Sequence, residues 1–156
     1  MKLPNLIATT FILSQIFVFP QFANAQLSCQ GTVNKVVGQI RSQGVPEVKS
    51  NIFRGQANTY NTGNPTNRQD TLEILMASTS GDNSSNVIEN ILNSEQLMNV
   101  WANSIITACG GTAVVNFRLY QTDWEVSYAV QADLKTKVRQ CVDDYQGLSW
   151  NETFCP

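Results

Sequence analysis

Apolar residues recur at two spacings along this chain, and the spacings divide it into helices and strands. Val33, Val36, Val37 and Ile40 stand at i, i+3, i+4 and i+7, one face of a helix over Thr32 to Gln43. Thr32 can cap its start, and Gly44 with Pro46 beyond can end it. Val48 to Arg54 has weaker strand character. Thr71 to Thr79 alternates, with Leu72, Ile74 and Met76 on one side, and Ser80 to Ser84 follows as a turn. Val87, Ile88, Ile91 and Leu92 make a short amphipathic helix. Leu97, Met98, Trp101, Ala102, Ile105 and Ile106 make a longer one, capped by Asn93 or Ser94 and ended by Gly110-Gly111.

Three strands close the pattern. Phe117 and Leu119 share a face with Val126, Tyr128 and Val130. Like faces must meet, which predicts Leu119 opposite Val126 and Phe117 opposite Tyr128, with a bend at Thr122-Asp123. The third strand, Lys135 to Cys141, follows a turn at Ala132 to Leu134 and pairs Val138 with Tyr128 and Thr136 with Val130. The opposite face is polar: Asn116, Arg118, Tyr120, Glu125, Ser127, Lys135, Lys137 and Arg139. One-sided alternation is the signature of an antiparallel sheet with one solvated face. The expected architecture is a two-layer α+β domain, an antiparallel sheet of about five strands with helices packed on one face, in the order α-β-β-α-α-β-β-β.

The N-terminus bears on the compartment. Lys2, the apolar run "LIATTFILSQIFVF", Pro20 and Ala23-Asn24-Ala25 follow the plan of a signal peptide cleaved after Ala25. Leu27 and Ser28 precede Cys29 with the wrong spacing for a lipobox, so secreted or periplasmic release is favoured over lipid anchoring. Of 156 residues, 131 follow Ala25, which is enough for one domain (26–156) with a real core. Without Lys2, nine Lys and Arg face twelve Asp and Glu, a formal −3, too mild to point to nucleic acid. No transmembrane segment is expected after residue 25.

Cys29, Cys109, Cys141 and Cys155 make an even set, read as two disulfides. Cys109 starts the first strand of the meander and Cys141 ends the third, which runs parallel to it. About 20 Å separates such positions, so Cys109–Cys141 is excluded. Cys29–Cys109 with Cys141–Cys155 is favoured, because the second closes a short loop. Cys29–Cys141 with Cys109–Cys155 stays open.

The chain has no His, which removes the Ser-His-Asp and Cys-His mechanisms. Asp123 and Glu125 flank Trp124 and could form a carboxylate pair, but Asp in a turn serves its own backbone, and Trp124 at a hairpin end caps a core. Asp143, Asp144 and Glu152 lack the spacing of a cation loop, so neither metal nor cofactor is expected. Arg118, Lys135, Lys137 and Arg139 form a basic stripe. It fits docking to an anionic surface such as a polysaccharide or lipid head group, but the protection of an outer strand is the better reading. The polar loop Gly55 to Asp70, with Tyr60 in its middle, is either a binding loop or a disordered one. Tyr60, Arg118, Tyr120, Asp123, Trp124, Lys135, Lys137 and Arg139 are therefore the candidate binding residues.

The run "SIITACGGTAVVNFRLYQTDWEVSYAV", with "VRQCVD" and the closing "WNETFC", resembles a group of uncharacterised small secreted cyanobacterial proteins. The likeness covers Cys29 to Cys155: a helix ending in Cys, a hairpin with a T-D-W corner, a strand ending in Cys and a Trp-led tail. It implies secretion and paired cysteines and carries no activity. Several members have Gly near the second bend, where this chain has Ala132-Asp133. The leading expectation is an exported, non-enzymatic domain that binds an anionic envelope polysaccharide or another protein. A carboxylate hydrolase and a secreted enzyme inhibitor are the alternatives.

Overall fold

In a computed structural model of the chain, residues 21–79, 83–144 and 146–155 are described. Residues 1–20 of the expected signal peptide and Ser80 to Asp82 of the expected turn lie outside them. The elements run α1 (Gln21–Ser42), β1 (Glu47–Phe53), β2 (Asn61–Thr62), β3 (Asp70–Ala77), α2 (Ser84–Leu92), α3 (Glu95–Ala108), β4 (Thr112–Leu119), β5 (Glu125–Val130), β6 (Thr136–Val138), β7 (Gln140–Val142), β8 (Leu148–Ser149) and β9 (Glu152–Phe154).

Five strands form the main sheet in the order β1-β3-β4-β5-β6. The expected α+β class, strand number and disulfides are all present, but the sheet is mixed rather than antiparallel. β3 and β4 pair in parallel, with Ile74 opposite Phe117. The cause is the helix pair between them, which carries the chain back to the end where β3 began. The apolar stripes face as their spacing predicts. Val33 and Ile40 of α1, Ile88 and Ile91 of α2, and Met98, Trp101 and Ile105 of α3 share one core with Leu72, Ile74, Met76, Phe117, Tyr128 and Val130. Trp101 lies against Phe117 with ring centroids 6.2 Å apart, and Tyr128 donates its hydroxyl hydrogen to the Glu95 carbonyl at 3.0 Å.

Helix α1 begins well before Thr32, which is therefore interior and not a cap. Gly31 costs such a helix about 1 kcal/mol relative to Ala. The Cys29–Cys109 disulfide ties the same turn to the end of α3 and offsets that cost. Its partners are 80 residues apart, and a crosslink of that span contributes about 4 kcal/mol by restricting the unfolded chain. Cys141–Cys155 closes the second, shorter loop, so the favoured pairing is the observed one.

The first hairpin differs from expectation by two residues. Phe117 faces Val126 and Val115 faces Tyr128, while the Leu119 amide reaches the Trp124 carbonyl at 3.1 Å. A slip of two preserves every face, so alternation alone could not fix it. The second hairpin matches: Tyr128 pairs with Val138 and Val130 with Thr136. Its third strand ends sooner, because Arg139 donates its amide to Ser127 while Gln140 turns away to bond Asn151.

Leu134 closes that second turn in the left-handed region, at φ 64°. This is the position where a three-residue hairpin loop favours Gly. Its side chain is exposed, so little packing repays the strain. Leu134→Gly is expected to stabilise the protein by about 0.5–1 kcal/mol, read as a higher urea midpoint at unchanged slope. A lower midpoint contradicts this account of the turn.

Candidate functional site

Part of the polar face of the sheet is covered rather than open to solvent. Ser127 is 1% exposed and Arg139 9%. The loop after β1 and the tail after β7 cover it, and they are knitted together. Asn61 on β2 donates both to the Ser149 carbonyl at 2.8 Å and to the Glu152 carbonyl at 2.9 Å. β2 runs parallel to β8, and β9 runs parallel to β7. Trp150 is buried and donates its indole N–H to the Val130 carbonyl at 2.7 Å, which fastens the tail to the end of β5.

The loop 55–70 is built rather than loose. Asp70 closes its base, accepting from the Gly55 amide at 3.1 Å and from Arg54 at 2.6 Å. Gly111 leaves room for this carboxylate, since a Cβ there would meet Asp70 Oδ2 at 2.9 Å. Arg68 reaches the Ile106 carbonyl at 2.6 Å, and Asn64 binds the Arg68 carbonyl and the Thr66 amide. Tyr60 stands out from this frame, 72% exposed.

Between loop, tail and sheet lies a cleft of about 480 Å³. One polar rung crosses the sheet beneath it, and Glu73, Asn116 and Arg139 of that rung line the cleft. Asn51 faces Glu73, Glu73 faces Asn116, Asn116 faces Ser127, and the Arg139 amide bonds the Ser127 carbonyl. Side chains link most of the rung. Asn51 donates to Glu73 at 3.3 Å, Ser127 donates its hydroxyl to Asn116 Oδ1 at 2.8 Å, and Arg139 Nη1 donates to Ser127 Oγ at 3.4 Å. On the neighbouring rung Arg118 stands opposite Glu125. It holds both carboxylates, Glu73 at 3.2 Å and Glu125 at 3.3 Å. Phe53, Tyr60 and Phe154 stand on the rim.

Burial dominates the electrostatics here. It raises the Glu125 carboxyl above its ordinary value, and Glu73 adds to the rise while Arg118 and Arg139 oppose it. Burial likewise brings Arg139 down to about 10, so its guanidinium is still charged at neutral pH.

The structure divides the candidate residues. Arg118, Arg139 and Tyr60 meet at the cleft, with Glu125. Tyr120, Asp123 and Trp124 do not line it. Asp123 is exposed in the first hairpin loop, and Trp124 packs on the core. The carboxylate pair flanking Trp124 is thus split between loop and cleft. Lys135 and Lys137 are exposed on the edge strand and its approach, with Lys135 3.8 Å from Asp133. The basic stripe is therefore not one continuous surface: its two Lys are outside and its two Arg are under the cover. Glu152 and Asp144 accept from the backbone amides of Ser149 and Gln146, and no cluster suited to a metal occurs among the described residues. Glu73 and Asn61 are site residues that the sequence reading missed. Glu73 stands opposite the Leu72-Ile74 face, so the alternation of β3 already placed it on the polar side. Asn61 had no such signal in a loop crowded with Asn.

No family model, curated protein or solved structure matches this chain. The fold and its two crosslinks define a disulfide-stabilised α+β domain of a kind suited to an oxidising, extracellular setting. No helix among the described residues is long and apolar enough to cross a membrane.

The Glu125 shift is directly measurable. In a carbon-detected titration its carboxyl midpoint is expected above the ordinary 4.5. Arg118 favours the ionised form, so Arg118→Gln moves the midpoint further up. A downward move contradicts the assigned balance of burial and charge.

Proposed function

We propose that the protein is an exported, non-catalytic binding domain, acting at the cell envelope or outside it, whose ligand seats in the cleft over the sheet. The cleft itself carries this reading. It is concave, within the size range of small-ligand sites, and it combines aromatic walls with a few convergent polar groups. A saccharide unit of an envelope polysaccharide fits that lining, since sugar faces stack on rings and sugar hydroxyls bond to Asn and carboxylate side chains.

Export rests on the N-terminal pattern and on the disulfides, and the resemblance to secreted four-cysteine proteins points the same way. N-terminal sequencing of chain recovered from outside the producing cell is expected to begin at Gln26. A start at Met1, or a lipid on Cys29, counts against simple secretion.

A second reading comes from Glu125, a carboxyl raised by burial and set beside Glu73, as a hydrolase acid and its ionised partner would be. Both carboxylates lean on the same Arg118, one oxygen each, as a structural ion-pair bridge does, and the binding reading stands first.

Amide shift mapping with a panel of mono- and oligosaccharides tests the binding role. Shifts are expected at Asn116, Glu125 and Thr153 and are expected to vanish when Cys141 and Cys155 are both Ala, because the tail is then unpinned. Shifts confined to the helices, or none from any member, reject the cleft as the site. Turnover of a glycan that Glu125→Gln abolishes favours the hydrolase instead.

A further inference from the structure

The two disulfides stand in opposite surroundings. Cys109 is buried, and Cys29 packs half-buried against the same core. Cys141 is exposed and Cys155 is half-buried, and the two line a surface hollow of about 340 Å³. A thiolate reduces a disulfide only by reaching one of its sulfurs, so access decides which bridge is attacked in the folded protein. The hollow and the cleft share a wall, since Glu125, Arg139 and Thr153 line both. Thr153 and Phe154, which line the cleft, belong to β9, and β9 runs directly into Cys155.

We propose that Cys141–Cys155 is a redox latch on the cleft, opened by a dithiol reductant and closed again by oxidation. Its purpose rests on the cleft being the binding site, and it adds how that site is regulated. One thiolate of the reductant attacks the Cys141 sulfur. The bridge breaks, and Cys155 leaves as a thiolate that takes up a proton. The second thiol of the reductant, as thiolate, attacks the mixed disulfide, and Cys141 leaves and is protonated in turn. Two electrons and two protons pass to the protein, and the reductant ends as its own disulfide.

The segment that the latch frees is short and defined. Trp150 is buried with its indole N–H on the Val130 carbonyl, and Asn61 holds the Ser149 carbonyl. Neither restraint includes the bridge. Beyond Trp150, β9 has its three-residue pairing with β7 and the bond from Asn61 to the Glu152 carbonyl. A strand pair of that length is marginal alone. With the bridge open, β9 swings about Trp150 and carries Thr153 and Phe154 off the cleft. Cys155 stays five residues from Trp150, within about 18 Å of it, so its thiol remains close enough to Cys141 for the bridge to re-form.

The test treats the full oxidised chain with dithiothreitol and follows each bridge by mass spectrometry of alkylated fragments. Cys141–Cys155 is expected to open at least about tenfold faster than Cys29–Cys109. Amide exchange then reads the tail in the partly reduced chain. The amides of Gln140 and Cys155 bond the Asn151 and Val142 carbonyls at 2.8 and 3.1 Å, and their exchange is expected to speed up by at least about tenfold. The Trp150 indole N–H and the β4 amides are expected to keep their protection, and re-oxidation is expected to restore the rest. Cys141→Ala with Cys155→Ala makes the open form permanent and is expected to give the same pattern without reductant. Should that variant fail to fold, the reduced unaltered chain decides alone. Both bridges opening at one rate overturns the latch, as does unchanged protection of Gln140 and Cys155 after selective reduction. Loss of protection at Trp150 or β4 in the same step also overturns it, because the tail is then part of the global fold. No ligand enters these measurements, so they can sink the latch while the binding role stands. A β9 that opens as expected, in a chain whose cleft takes no saccharide, sinks the binding role and not the latch.

Discussion

The tail after β7 determines what the sheet becomes. Besides its short strand pairs, it is pinned by the Cys141–Cys155 bridge, the Trp150 indole on the Val130 carbonyl, and Asn61 reaching two tail carbonyls from the loop. Without them the outer face of β4, β5 and β6 would be an ordinary solvated sheet face. With them it is the floor of a cleft, and groups such as Ser127 and Arg139 are withdrawn from water. The tail has little core of its own. Its short strands pair in twos, and strand pairs of that length have no independent stability. A covalent bridge suits such a segment, since it contributes about 3 kcal/mol for a 14-residue separation whatever the strength of the packing.

Much of the main sheet was legible in the chain because apolar spacing reports which side faces a core. Leu72, Ile74, Phe117, Tyr128 and the α3 stripe all face where their periods put them. The second hairpin was legible down to its pairs, because its turn is short and leaves no freedom of register. The first hairpin has a four-residue loop, Tyr120 to Asp123, and tolerates a slip of two without moving any side chain to the wrong face. The parallel β3–β4 junction had a signal that strand alternation does not carry. Two helices between consecutive strands return the chain to the starting end, and that favours parallel neighbours.

The cover was the part least written in any local pattern. A polar alternating face reads the same whether it meets water or a polar tail. Asn116, Ser127 and Arg139 look alike in both cases, because hydrogen-bonding residues satisfy either environment. What tells the cases apart is long-range: Asn61 meets Ser149 across 88 positions, and no window of sequence contains both. The four cysteines held the best available hint. Cys155 lies almost at the end of the chain, and bonding it to Cys141 forces the intervening segment to double back onto the sheet.

The two faces of the sheet therefore do separate physical work. The helix side is a continuous apolar core with a single aromatic hydroxyl, and that hydroxyl is bonded. It supplies the cohesion of the domain. The other side carries four ionisable groups under a thin cover, and burial opposes the charged form of two of them, raising Glu125 and lowering Arg139. A sheet needing only a closed back could have used Val or Thr at position 139 and avoided the desolvation of a guanidinium. The rung instead holds Arg139 Nη1 on Ser127 Oγ at that desolvation cost. Rigid elements on one side and an under-satisfied polar row on the other make a scaffold in which the row can be altered without redesigning the core. Substitutions at Glu73, Asn116 and Arg139 touch the cleft, whereas those at Ile74, Phe117 and Tyr128 touch the fold.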